Sequence, residues 1–375
     1  MKVLFLSEWY PNRYDAMAGL FVQKHAIAAA GQGVDICVLY LHHDTQIKAL
    51  EINDVTHDGI REITVYYPTN YFRALRKGWK YVRNHWGMPN VCQVNVITKN
   101  ALLALWLKSR YRIPYIIIEH WSGYLKVFPA YRKSSRWHRW IAETAARNAY
   151  MIMPVSEDLL NAMKDCGLCC PRWQIINNVV DDFFYTLPNA SRTDSHLNLL
   201  HISCFDELHK NVCGLLRAVH AVSKTRNDFT LTIVGIGKDY QTIRQYADSL
   251  QFPEHMLRWK GELAPKEVAA EFQKADAFVL SSNDETAAIV LCESLASGKP
   301  IVSTSVGLAP IVVNSNTGIL VPIGDEKALA EAIATMLVTS KKYDSETIRA
   351  YAEPYRFTVV GQHLYNTYKD ALCTT

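Results

Sequence analysis

The sequence predicts an α/β protein built from two doubly wound domains. Three observations lead there. Apolar strands alternate with helices through both halves of the 375 residues. Strands such as YIIIEH and FTLTIVG are nearly continuous apolar runs, as in sheets covered on both faces. One polar, turn-rich stretch, Tyr185 to Asn198, follows neither periodicity. It separates residues 1–188 from residues 189–354, and a helix over 355–375 is expected to pack back on the first domain.

The first half opens with KVLFLSEW as a buried strand. Its apolar run, Val3 to Leu6, is ended by Glu8 and is too short for the apolar core of a secretory leader. AGLFVQKHAIAAAGQG follows, with Leu20, His25 and Ala28 at helical spacing and a glycine stop. VDICVLYL, ITVYYP, YIIIEH and YMIMPVS are further strands, and KNALLALWLKSR and EDLLNAMKDCG are helices beside them. The second half repeats the alternation from LNLLHIS through NVCGLLRAVHAVSKT and FTLTIVG to GILVP and EKALAEAIATMLV. In the last segment Val360, Leu364, Tyr368 and Leu372 recur at four-residue steps, which makes an amphipathic helix. ALLALWL is the longest strongly apolar stretch and is far too short to span a bilayer, so a cytoplasmic protein is expected.

A hydrophobic content of 49% with 20% charged residues fits a globular chain with a sizeable core. The nine cysteines are an odd number without framework spacing. Cys37, Cys213 and Cys292 lie in apolar strings and read as buried reduced thiols. CGLCC, Cys166 to Cys170, holds one CxxC, and only His201 with Cys204 could complete a zinc set, so no metal site is expected. The net charge of +4 hides an asymmetry. Residues 1–188 carry 22 basic and 15 acidic residues, and the remainder carry 18 and 21. Between Ile63 and Ala142 there are fourteen basic residues and one acid, Glu119. Such a split suits an anionic partner for the first half.

The chemistry concentrates in DETAAIVLCESLASGKPIV. A helix is expected from Ala287 to Ser297, stopped by Gly298 and Pro300. Glu285 then lies on the strand-end loop, and the N–H groups of Thr286 to Val290, including Ala287, Ala288 and Ile289, form an anion-binding helix start. Glu293 lies almost two turns in, among apolar positions. A carboxylate there wants hydroxyl donors, and a ribose diol supplies two. Lys210, in HISCFDELHKN, is placed to meet a diphosphate as a point charge. TIVGIGKD ends a strand in Gly235-x-Gly237, where glycine lets backbone approach a phosphate or a base. Position 240 is Tyr, so GxGxxG fails and a dinucleotide dehydrogenase is disfavoured.

The order of these motifs resembles glycosyltransferase family 4, of GT-B fold, with two Rossmann-like domains facing across a central cleft. The resemblance spans nearly the whole chain: IIIEH, VSEDLLNAM, IINNVV, HISCFDELHKN, TIVGIGKD and the E-x7-E pair Glu285 and Glu293. It implies that Glu285 contacts the transferred sugar and Glu293 the ribose. It implies that Lys210 binds the diphosphate, and that His120 lies beside the donor sugar and acceptor. Gly19, in DAMAGLF, is nearest to the family's glycine loop on the diphosphate. The family's Gly-Arg aligns with Ser203-Cys204, its Phe-Gly with Ala287-Ala288, and its Pro-Asn-Gly with Asn177-Asn178, so one positive contact is missing. The implied reaction is a retaining transfer from a nucleotide-sugar donor, without metal or other cofactor. A nucleotide-sugar epimerase of similar fold and a non-catalytic nucleotide-binding module are the alternatives.

The basic first half suggests the acceptor side. Along YFRALRKGWKYVRNHWG, Phe72, Leu75, Trp79 and Val82 share a helical face, and Arg73, Arg76, Lys77, Lys80 and Arg83 fill much of the rest. In SSRWHRWIAETAARNA, Trp137, Trp140, Ile141, Thr144 and Ala145 share a side, with Arg136, Arg139 and Arg147 elsewhere. Each pattern fits a core-facing stripe with a solvated back, or a patch that meets anionic lipid at the inner face of the plasma membrane. No nucleic-acid recognition motif is present. A glycan or lipid-linked acceptor, in surface polysaccharide synthesis, is the expectation.

Overall fold

The computed structural model describes residues 1–188 and 196–373. Its contacts divide the chain into two compact units: Met1–Val179 together with the segment from Phe357, and Val180–Arg356. The boundary expected from sequence at 188 and 189 runs into residues 189–195, which lie outside the described residues.

The first unit holds β1 (Lys2–Ser7), β2 (Asp35–His43), β3 (Glu51–His57), β4 (Ile60–Tyr67), β5 (Val91–Asn95), β6 (Tyr115–Glu119) and β7 (Met151–Pro154). They form one sheet in the order β3-β4-β2-β1-β5-β6-β7, parallel throughout except for the antiparallel β3–β4 edge. Sequence reading missed β3 and β5. β3 is an exposed edge strand carrying polar residues, which is how edges resist further pairing. β5 is central, but Gln93 and Asn95 interrupt its apolar run. Both are fully buried. The Gln93 amide donates to Asn95 Oδ1 at 2.8 Å, and the Tyr368 hydroxyl donates to Gln93 Oε1 at 2.5 Å. Paired in this way, a polar side chain can occupy a core strand.

Tyr368 belongs to the C-terminal helix, Phe357–Cys373, which lies on the helix Leu20–Ala30 within the first unit. Val360, Leu364 and Tyr368 are buried, as their spacing requires, and Ala371 rather than Leu372 completes the stripe. Gly361 sets the approach of the two helices. A Cβ there would stand 2.2 Å from the Ala28 carbonyl oxygen.

The second unit holds β8 (Leu197–Ile202), β9 (Phe229–Val234), β10 (Leu257–Gly261), β11 (Ala277–Leu280), β12 (Ile301–Thr304) and β13 (Gly318–Val321). The order is β10-β9-β8-β11-β12-β13, all parallel. Leu199, Leu231, Ile233 and Val279 from the strands pack with Leu215, Val219 and Ile333 from the helices. Strand order reverses between β1 and β5 in one sheet and between β8 and β11 in the other. In open parallel sheets, ligand crevices form outside the strand ends at such reversals.

Gly361→Val is expected to destabilise the first unit by about 1–3 kcal/mol through overpacking. An unchanged denaturation midpoint would contradict the close helix approach.

Candidate functional site

In the second unit, two loops meet at the β8–β11 reversal. The loop after β8 passes Ser203 and Cys204 into a single helical turn, Glu207–Lys210. The loop after β11 runs from Ser281 to the helix Ile289–Ala296. Hydrogen bonds fasten one loop to the other. Asn283 N–H donates to the His209 carbonyl at 2.7 Å, and the Ser281 hydroxyl donates to the Lys210 carbonyl at 3.0 Å. His209 Nδ1 lies 2.8 Å from Asp284 Oδ2. This fastening brings Lys210 Nζ to 2.6 Å from Glu285 Oε1, which also accepts the Ser282 hydroxyl at 2.8 Å. The two side chains are only 15% and 12% exposed. Burial works against the lysine's charge, but the Coulombic pull and hydrogen bond of Glu285 prevail and raise its pKa. Lys210 therefore stays an ammonium.

The helix begins two residues later than the sequence suggests. Ala288 is its N-cap and sits in the left-handed region, φ 56°, so Ala287 and Ala288 belong to the loop and Ile289 opens the helix. The expected stop is present. Gly298, φ 68°, donates to the Leu295 carbonyl at 2.8 Å, and Lys299 N–H donates to Ser294 at 3.0 Å. This paired bonding closes a helix that turns left-handed at its end. Glu293 was expected among buried positions. It is half-buried, between the buried Cys292 and Ser294.

Gly235 and Gly237 lie against the loop after β8. A Cβ on Gly235 would meet the Ser203 carbonyl oxygen at 1.9 Å, and one on Gly237 would meet Phe205 N at 2.5 Å. The glycines admit the neighbouring loop. Phe205 N–H donates to the Ile236 carbonyl at 2.9 Å, Asp239 N–H to Phe205 at 3.0 Å, and Glu207 N–H to Asp239 Oδ2 at 2.8 Å. Ser203 is also held from below. His201 is fully buried, with Nδ1 2.9 Å from the Val279 carbonyl and Nε2 2.9 Å from Ser203 Oγ. The carbonyl fixes Nδ1 as donor, so Nε2 accepts the serine hydroxyl. Burial lowers this imidazole to about 4, and it stays neutral. Cys204 is exposed. Sequence reading missed Lys238, whose Nζ lies 2.8 Å from Asp206 Oδ2 on the same pair of loops. Its only signal was a lysine directly after the glycine pair.

The first unit carries the other two predicted residues. Gly19 caps the helix Leu20–Ala30 at φ 62°, and a Cβ there would meet the Trp9 carbonyl at 2.3 Å. His120 follows β6 and is buried, its ring 4.1 Å from Phe21 and 5.7 Å from His25. Its Nε2 has no hydrogen-bond partner among the described residues. Burial holds its pKa well below the usual imidazole value, so the ring is neutral. His25 Nε2 lies 2.9 Å from the Asn177 carbonyl. Glu119 was not predicted as a site residue, although it is the one acid in a basic stretch. Its Oε1 accepts the N–H groups of His120 and Trp121, both at 2.9 Å, and Oε2 accepts Ile97 N–H at 3.0 Å. Burial pushes this carboxyl up to about 7 against those three donors. It joins the loop that carries His120 to the loop after β5.

Among the described residues, no group of three His, Cys, Asp or Glu side chains is placed to hold a metal. Cys37 and Cys292 are buried as expected, but Cys213 is only half-buried, and Cys169 and Cys204 are exposed. Among the described residues, no helix is long and apolar enough to cross a membrane.

Two family models match the chain. One, described as Glycosyltransferase Family 4, matches residues 18–182, and one described as Glycosyl transferases group 1 matches residues 196–339. The chain belongs to glycosyltransferase family 4. This glycosyltransferase is 30% identical over 176 residues to a phosphatidyl-myo-inositol mannosyltransferase of Mycobacterium leprae. That match spans 46% of each chain, less than half of the relative's length. Among solved structures, sucrose-phosphate synthase from Thermosynechococcus elongatus is similar at TM-score 0.79 and 16% identity, over 100% of this chain and 99% of its own. Anabaena HepE, solved in complex with UDP and glucose, is similar at TM-score 0.74 and 16% identity, over 99% and 100%. The fold class of this glycosyltransferase is GT-B.

Ala288→Gly is expected to stabilise the second unit by about 0.5–1 kcal/mol, because glycine relieves the left-handed strain. A melting temperature that falls would contradict that assignment.

Proposed function

We propose that this chain is a retaining glycosyltransferase that moves a sugar from a nucleotide-diphosphate sugar to a glycan or lipid-linked acceptor in surface polysaccharide synthesis. The observation that carries this reading is the shielded contact of Lys210 with Glu285 at the β8–β11 reversal. HepE, whose fold is similar, was solved with UDP and glucose, which supports a nucleotide-sugar donor.

In this reading the donor diphosphate draws Lys210 away from Glu285. The lysine and the start of the helix Ile289–Ala296 then stabilise the leaving diphosphate. Glu285, released from its partner, faces the sugar and the positive charge that develops at its anomeric carbon. Glu293 takes the ribose hydroxyls. Cys204 supplies no charge, so Lys238 is the second cation for the diphosphate. The anomeric carbon–phosphate oxygen bond breaks and a bond to the acceptor oxygen forms on the same face. The leaving phosphate accepts the acceptor's proton. No metal or other cofactor enters, because lysine and helix start provide the positive charge. In the helix Tyr71–His85, Arg73, Arg76, Lys77, Lys80 and Arg83 are exposed, which supports an anionic membrane surface as a further partner.

Glu285→Gln is expected to lower turnover by about 10²–10³-fold, while nucleotide diphosphate affinity holds or rises because Lys210 is freed. Full turnover in this variant, or an inverted anomeric configuration seen by NMR, would overturn the mechanism. Lys238→Met is expected to weaken nucleotide diphosphate binding by about 3–10-fold at low salt, with less loss at high salt. Adding Cys204→Arg should restore it in calorimetry. Equal affinity of Lys238→Met and wild type would remove Lys238 from the site.

A further inference from the structure

The helix Arg136–Asn148 buries a different face from the one its sequence suggests. Spacing placed Trp137 and Trp140 with Ile141 and Ala145. In the fold, Ile141, Ala142, Ala145 and Ala146 are the buried stripe. Trp137 and Trp140 point outward, 50% and 51% exposed, with ring centroids 5.1 Å apart and planes at 17°. The segment before them leaves Val127 58% and Phe128 39% exposed. Arg132, Lys133 and Arg136 are exposed on the same stretch, and so is Lys126, whose Nζ lies 3.4 Å from Asp165. Arg139 donates to the Arg132 carbonyl at 2.9 Å and ties the turn Ala130–Lys133 to the helix. Between His120 and Ser156 there are six basic residues and one acid, Glu143, which lies 3.2 Å from Arg147.

Two stacked, half-exposed indoles form an apolar patch rimmed by charge, the kind of surface that marks an interaction site. A second copy of the chain would bring like charge against like charge across that surface. An anionic bilayer answers both features. Indole rings settle at the level of lipid headgroups, and lysine and arginine stems lie along apolar surface while their charges reach phosphate. We propose that residues 126–140 form a membrane wedge, in which Trp137 and Trp140 enter the interface of an anionic bilayer and Lys126, Arg132, Lys133 and Arg136 hold its headgroups. The wedge deepens the membrane reading above by adding apolar insertion to charge attraction, on a different helix. It rests on that reading only for why the enzyme needs a membrane.

The test is flotation of the full chain with vesicles of phosphatidylglycerol and phosphatidylcholine, beside pure phosphatidylcholine. Wild type is expected to float with the anionic vesicles, and Trp137→Ser/Trp140→Ser to partition about tenfold less or worse. Lipids brominated in the acyl chain should quench part of the wild-type tryptophan fluorescence, and that part should vanish in the variant. The variant should melt as wild type does, since the buried stripe is untouched. Equal flotation of the two proteins, or flotation without quenching, would overturn insertion. Dimeric wild type with monomeric variant in sedimentation would overturn it in favour of a protein interface. Nucleotide-diphosphate binding, followed in the same two proteins, reads the proposed function separately. Its loss from both would sink that function and leave the wedge standing on flotation and quenching.

Discussion

The second unit's site depends on one ion pair, Lys210 with Glu285. Two charges this shielded are costly to hold unless they face each other with their remaining hydrogen bonds met. The protein meets that demand with hydrogen bonds from both backbone and side chains. Ser281, Asn283 and His209 bind the two loops together, and Ser282 adds a hydroxyl to the carboxylate. A third loop, carrying Gly235 and Gly237, lies so close to Ser203 and Phe205 that no side chain fits at either glycine. The geometry around Glu285 is therefore a property of three strand-end loops fastened together.

The first unit solves a related problem with a single buried acid. A parallel sheet delivers its strand ends as loops whose N–H groups have no ladder partner. Glu119 takes three of them, from Ile97, His120 and Trp121. His120 is thereby fixed by its own backbone, while its ring stays neutral between Phe21 and His25. A neutral imidazole with an unmatched nitrogen can receive or give a hydrogen bond without adding charge. Gln93 shows the same economy inside the sheet, where its amide meets Asn95 and Tyr368 and so lets a polar residue occupy a central strand.

Glycosyltransferase family membership, the α/β class and the strands of the second unit were legible in the residues. Fully buried parallel strands must be apolar on both faces, so LNLLHI, FTLTIV, AFVL and IVST announce themselves. Glu285 and Lys210, which the structure brings together, were picked out near strand ends, and His120 was picked out through the family resemblance. β5 was not, since Gln93 in it is paired with partners two and 275 positions away. Glu119 and Lys238 were not singled out for a related reason. Each owes its place to loops from separate parts of the chain.

The sequence by itself determined periodicity: which segments are strands, which are helices, and which polar residues stand at their ends. Tertiary structure decided direction and contact. Helical spacing could not say whether Trp137 and Trp140 turn inward, because alanines on the neighbouring face supplied a stripe narrow enough to pack closely. Nor could it say that Phe72, on a face with Leu75, Trp79 and Val82, would stay outside. The start of the helix carrying Glu293 moved two residues because Ala288 adopted a left-handed backbone that no local preference would choose. Such outcomes are set by what the rest of the fold packs against each segment, and a linear pattern does not carry that information.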